Sequence, residues 1–254
     1  MTQEILSGLH LAAWHGMAPN MPRDKPVCNV YALPTPSGVV LIDCGPAYTF
    51  SLVEQNLDLL GLSPSDAKYV LLTHPHMDHC GAGHLFQKAG AKLFASPYTA
   101  MVMEKEPRQV LYEDPAQVVP TRVDQVVPQE GRIDVGGLAV RVLFTPGHTP
   151  GCTSYLVGVG REKCLFSGDL VVPVNRGFCP IGWAGSVGFS RESTLASLKK
   201  MADLDFQHLL GGHGYVMGDG KSSLERTIQF WERGVIGPTK PFVFKNGKTL
   251  EEIS

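Results

Sequence analysis

No two cysteines of this chain form a C-x-x-C pair. The six present, Cys28, Cys44, Cys80, Cys152, Cys164 and Cys179, are scattered over 254 residues. That excludes a zinc ribbon or a thioredoxin-type site, and it leads us to expect small buried hydrophobes in a reducing cytoplasm. Long apolar runs are also missing. Stretches such as Val39-Val40-Leu41-Ile42 fall far short of the roughly 18 residues that cross a bilayer, and Met1-Thr2-Gln3-Glu4 lacks the basic start of an export signal. A soluble, cytoplasmic chain with no membrane partner is expected. Charge of one sign is not in excess: 22 Lys+Arg stand against 24 Asp+Glu, a formal charge of −2. No basic stripe awaits a phosphate backbone, so nucleic acid is not an expected partner. No linker or low-complexity tract separates halves, which predicts one domain over residues 1–254. With 43% hydrophobic and 18% charged residues, the chain can bury a core without disulfides.

Apolar runs punctuated by turn residues predict strands at 27–33, 39–42, 69–72, 92–95, 138–144, 153–159, 163–166 and 208–210. Val53, Leu57 and Leu60 at i, i+4, i+7 predict a helix that Thr49 or Ser51 could cap and Gly61 stops. Further helices are expected at 83–89, from Pro97, at 191–201 and near 222–233, while 107–128 is ambiguous. Strands interleaved with helices favour an α/β architecture with a sheet-rich centre and outer helices.

Thr73-His74-Pro75-His76-Met77-Asp78-His79 packs three imidazoles and a carboxylate directly behind an apolar run. Such donors suit zinc, iron or manganese. Pro75 bars a regular helix through the cluster and so excludes the helical H-E-x-x-H geometry. Three more candidates share one pattern of apolar strand, glycine, ligand: Gly147-His148, Gly168-Asp169 and Gly212-His213. Glycine there removes a side chain that would block a metal and permits positive φ.

With these residues in place, the chain resembles the metallo-β-lactamase-fold hydrolases, whose signature is H-x-H-x-D-H followed by His, Asp and His. The resemblance covers about Val27 to Gly214. It implies an αβ/βα four-layer sandwich of two mixed sheets with outer helices. It also implies two divalent ions, most readily Zn with Fe or Mn as alternatives. His74, His76 and His148 would hold one ion and Asp78, His79 and His213 the other, with Asp169 bridging. Asp43, at the end of a strand, lines up with an acidic position that supports a metal-bound histidine in this fold. The flavodiiron branch resembles the same pattern with Glu in place of the second His; here that position is His76, which favours hydrolysis. His84 is expected to be structural, and His10, His15 and His208 have no assignment.

The implied activity is cleavage of an ester, lactone or thioester of a small-molecule substrate by a metal-bound hydroxide, with Asp78 and Asp169 as catalytic residues. A glyoxalase II-type hydroxyacylglutathione hydrolase and a mononuclear-iron persulfide dioxygenase are the alternatives; a metal-binding regulator fits a complete ligand set poorly. Lactonases on this fold place a Tyr shortly after the bridging Asp, where this chain has Leu170 to Pro173. Arg176, Phe178, Trp183 and Phe189, in the segment 170–190, are expected to form a substrate wall that flexes over the metals. Oligomeric state is left open.

Overall fold

A computed structural model describes residues 3–13, 27–106, 119–172, 186–214 and 216–233. The first sheet runs in chain order: β1 (Gln3–Leu6), β2 (Leu9–Ala13), β3 (Val30–Thr35), β4 (Gly38–Ile42), β5 (Ala67–Leu71), β6 (Lys92–Ala95) and β7 (Gln125–Val126). Steps from β1 to β4 are antiparallel and those from β4 to β7 parallel. Parallel neighbours need a crossover, and α1 (Phe50–Asp58), α2 (Met77–Cys80), α3 (Gly83–Lys88) and α4 (Pro97–Lys105) lie between them in the chain. The second sheet comprises β8 (Glu130–Val135), β9 (Leu138–Phe144), β10 (Thr153–Val159), β11 (Glu162–Gly168), β12 (His208–Gly211) and β13 (Val216–Met217), in spatial order β13-β12-β11-β10-β9-β8. Helices α5 (Arg191–Ala202) and α6 (Gly220–Glu232) complete it.

The unbroken apolar run of β4 follows from its burial on both faces. Val39 and Leu41 belong to a core with Val53, Leu57, Phe86 and Val102 of the helices. Val40 and Ile42 belong to the core between the sheets, with Val142, Tyr155 and Phe166. There Tyr31 meets Phe166 edge-on at 5.2 Å, a contact worth about 0.5–1.5 kcal/mol beyond its buried area. Leu143, Leu165 and Leu209 on the far face of the second sheet pack with Leu198 and Met201 of α5 and Leu224 and Trp231 of α6. The layers are therefore helix, sheet, sheet, helix, the expected four-layer sandwich.

Several elements differ from the sequence reading. Strands β1, β2, β8 and β13 have no counterpart in it, and β7 falls in the stretch left ambiguous. β8 is a mostly exposed edge strand reading Glu-Gly-Arg-Ile-Asp-Val, so it lacks an apolar run. Thr49 stands before α1 without capping it, because its Oγ1 donates to Pro46 O at 2.9 Å instead. Among the described residues, no helix is long and apolar enough to cross a membrane.

Strand direction decides where the ligand candidates meet. β9 and β11 are both antiparallel to β10, and β12 is parallel to β11, so all three end at one edge of their sheet. β4 and β5 end together in the other sheet. Cross-sheet hydrogen bonds join these edges: Thr153 N donates to Thr73 O at 2.9 Å and Tyr155 Oη to Leu72 O at 2.8 Å.

Candidate metal centre

Five strand ends deliver the site. β4 leads to Asp43, β5 to His74 through His79, β9 to His148, β11 to Asp169 and β12 to His213. Only part of the His-rich cluster is loop. Met77 begins one turn of helix just after Pro75, so Asp78 and His79 project from α2, whereas His74 and His76 precede it in non-helical backbone. This change of backbone lets neighbours in sequence face two different centres.

In the first group, His76 Nδ1 lies 3.0 Å from His74 Nε2 and 2.9 Å from His148 Nε2. In the second, His213 Nε2 lies 3.0 Å from Asp78 Oδ2, and His79 Nε2 lies 3.6 Å from the same oxygen. Asp169 reaches both: Oδ1 is 3.2 Å from His79 Nε2, while Oδ2 is 3.4 Å from His213 Nε2 and 3.8 Å from His148 Nε2. The structure thus gathers all seven predicted residues into two adjoining groups, and all but His213 are buried.

Neighbouring hydrogen bonds set the tautomers. Thr73 Oγ1 spends its hydrogen on Asp43 Oδ2 at 2.8 Å, so at 3.0 Å it accepts from His74 Nδ1–H and leaves Nε2 with its lone pair. His79 Nδ1 donates to Asp43 Oδ2 at 2.8 Å, which frees Nε2. Ser186 Oγ donates to His148 O and lies 3.3 Å from His148 Nδ1. Asp43 also accepts from Thr73 N at 2.8 Å and adopts φ 57°, a left-handed conformation that Asp tolerates better than most residues. Asp43 therefore supports a histidine in each group, one directly and one through Thr73. Nothing in the sequence pointed to Thr73 or Ser186; only the adjacency of Thr73 to His74 could have suggested the first.

The donor set fits cations. Once His74 and His148 carry hydrogens on Nδ1, only His76 can supply one to the first triangle, and one N–H cannot satisfy two facing lone pairs. Asp78 Oδ1 is buried without a hydrogen-bond partner, and His79 Nε2 and Asp169 Oδ1 face only each other at 3.2 Å without an aligned hydrogen bond, an arrangement expected to be costly unless an ion takes them up. Burial holds the His74 and His76 imidazoles well below their ordinary pKa, reinforced by the neighbouring rings. For His213, burial works against the charged form, but Asp169 and Asp78 outweigh it and raise the pKa to about 10. His79 moves up likewise, against its burial, and Asp169 is pulled well down by His213 and His79 despite its own burial. Without metal, protons on His79 and His213 supply the positive charge that the carboxylates demand.

The glycines of the shared pattern serve three different needs. A Cβ at Gly212 would run into Asp169 Oδ1 and His79 Cε1, so this glycine keeps space inside the site. Gly168 has φ 53° and would press on Thr73, and Gly147 would collide with the start of α5 at Thr194. Only the first answers the expectation of an unblocked metal.

His84 stays outside both groups, with Nδ1 3.1 Å from Gly81 O. His208 faces Glu162 at 3.6 Å on β12. Arg176, Phe178 and Trp183 lie outside the described residues, as does Cys179. Of the wall expected over 170–190, residues 173–185 lie outside the described residues; at its ends Leu170 and Val171 are fully buried among the α5 and α6 side chains and Phe189 packs on that same cluster. The five described cysteines are buried, and burial pushes the thiols of Cys28, Cys152 and Cys164 up to about 12. They behave as the small hydrophobes expected.

The description "Metallo-beta-lactamase superfamily" matches residues 23–213. The chain belongs to that superfamily. Among members, it is 28% identical over 218 residues to a beta-lactamase hydrolase-like protein of Agrobacterium fabrum, covering 82% of this chain and 48% of that protein. A hydroxyacylglutathione hydrolase of Acidiphilium cryptum is 31% identical over 155 residues, 60% of this chain and 53% of that one. The chain thus spans about half the length of these two curated relatives. A metallo-beta-lactamase family protein of Thermus thermophilus superposes with TM-score 0.70 at 23% identity, over 91% of this chain and 81% of that one, and shows the shared fold.

Proposed function

We propose that this member of the metallo-beta-lactamase superfamily is a dinuclear-metal hydrolase that cleaves an ester, lactone or thioester of a small molecule. The observation that carries the reading is the pair of adjoining donor groups, with the buried Asp78 Oδ1 without a hydrogen-bond partner beside them and Asp169 reaching both. His74, His76 and His148 would hold one ion, Asp78, His79 and His213 the second, and Asp169 would stand between. Two divalent ions in such a site supply an acidified water and polarise a carbonyl oxygen. The protein's own groups do the rest. Asp78 turns Oδ2 toward His213 and His79 and would hold the second ion with them. Asp43 and Thr73 keep the metal-facing nitrogens of His79 and His74 fixed. None of the five described cysteines competes as nucleophile, because their thiols are buried and held protonated near neutrality.

Imidazole and carboxylate donors suit zinc, with iron and manganese as the other candidates. A hydroxyacylglutathione thioester is the second substrate reading, supported by the name of the Acidiphilium relative. A cytoplasmic setting belongs to the same proposal, supported by the reduced buried cysteines, and so does the lack of a nucleic-acid partner, supported by the balanced charge of −2. The test is elemental analysis of protein purified without chelator, joined to turnover of a panel of aryl esters, lactones and lactoylglutathione. Two metals per chain and hydrolysis of at least one class are expected. A single iron with persulfide dioxygenase activity would refute the reading.

A further inference from the structure

Asn29 stands just before β3 in the first sheet, yet its buried side chain reaches the loop that follows β12 in the second. Its Nδ2 lies 3.1 Å from Gly211 O, 3.2 Å from Gly214 O and 3.1 Å from Tyr31 Oη. The Asn29 main-chain N donates to Gly212 O at 2.6 Å, and Tyr31 Oη donates to Gly211 O at 2.7 Å. Two residues of β3 and its approach therefore hold three of the four carbonyls in Gly211-Gly212-His213-Gly214, on both sides of the histidine. Burial pushes the Tyr31 phenol up, so it keeps its hydrogen for this bond.

The histidine between those carbonyls needs such support more than the others do. His79 is held by Asp43, His74 by Thr73, and His148 contacts Ser186. Among the described residues, His213 makes polar contacts only through Nε2, toward Asp78 and Asp169, and its side chain is 22% exposed. It also sits among three glycines, whose backbone freedom is the largest of any residue. With no described side chain holding its other ring nitrogen, its direction is left to the main chain.

We propose that Asn29, assisted by Tyr31, is a positioning residue that aims His213 at Asp78 and Asp169 and thereby sets the affinity of the second ion. The proposal rests on the two-ion reading above. Asn29→Asp preserves shape but turns oxygen toward the Gly211 and Gly214 carbonyls, and Tyr31→Phe removes one donor from the same loop. Zinc titrated calorimetrically into chelator-stripped protein is the primary assay. Wild type should take two ions. Both variants should hold one at near wild-type affinity and the other about 10- to 100-fold more weakly, with Asn29→Asp more affected. Two ions at wild-type affinity in both variants, or equal weakening of both ions, overturns the proposal. A wild type that takes no second ion defeats the two-ion reading instead, and the clamp is then decided by hydrogen exchange in the metal-free protein. The Gly212 amide, which donates to Gly168 O at 2.8 Å, should exchange faster in both variants while Leu210 is unaffected. Unchanged exchange at Gly212 overturns the clamp.

Discussion

Replacing Asp43 tests the link between the two metal groups most directly. Three buried donors converge on its carboxyl group: Thr73 N on Oδ1, and Thr73 Oγ1 and His79 Nδ1 on Oδ2, each at 2.8 Å. In Asp43→Asn the amide NH2 must face one side. Toward Thr73 N it opposes one donor; toward Oδ2's partners it opposes the His79 N–H and drives that ring to the tautomer whose Nε2 cannot bind a metal. Either choice leaves at least one buried donor unsatisfied, at about 1–3 kcal/mol. Loss of a group that orients metal ligands also lowers metal affinity by about 10- to 100-fold. Asp43→Ala removes all three acceptor contacts, about 3–9 kcal/mol on the same scale, and forces a left-handed backbone on alanine. Thermal unfolding without metal and zinc titration should therefore both rank wild type, then Asn, then Ala. Asp43→Gly separates the causes, since it relieves the backbone but restores no acceptor. An Asn variant with wild-type melting temperature and zinc affinity would refute the reasoning, as would a glycine variant close to wild type.

Gly212→Ala should abolish uptake of the second ion with the fold retained by circular dichroism, because its Cβ enters the space between Asp169 and His79. Asp169→Ala should lower occupancy of both ions on elemental analysis and reduce kcat/KM by at least about 10²-fold, the scale of one lost transition-state contact. The melting temperature of the metal-free protein should peak near the ordinary imidazole pKa. Below 6.5, His74 and His76 resist protonation in the fold while the unfolded chain takes up protons, so stability falls with pH. Above it, the stabilisation from protonated His213 fades as pH rises through about 10, with His79 shifted in the same direction. Zinc should flatten the alkaline limb, since the ion replaces those protons; a limb unchanged by zinc would contradict the placement of His213 in the site.

Much of the centre could be read without coordinates. A metal ligand must be one of a few residue types, and His74, His76, Asp78 and His79 are crowded into one turn of chain where chance rarely puts them. His148, Asp169 and His213 were visible because each follows an apolar strand and a glycine. Strands with apolar side chains on both faces, such as β4, also declare themselves, since burial on two sides leaves no room for polar residues. Edge strand β8 did not, because half its surface meets water and tolerates charge. What tertiary structure alone decided was which residues besides Asp43 stand behind the ligands. Asn29 is separated by 182 residues from Gly211, and Ser186 by 38 from His148. Asparagine and serine are common in any loop, so their types carry no signal. Their roles arise only where the strand ends of two face-packed sheets meet, and that proximity is a property of the packed cores rather than of any local run of sequence.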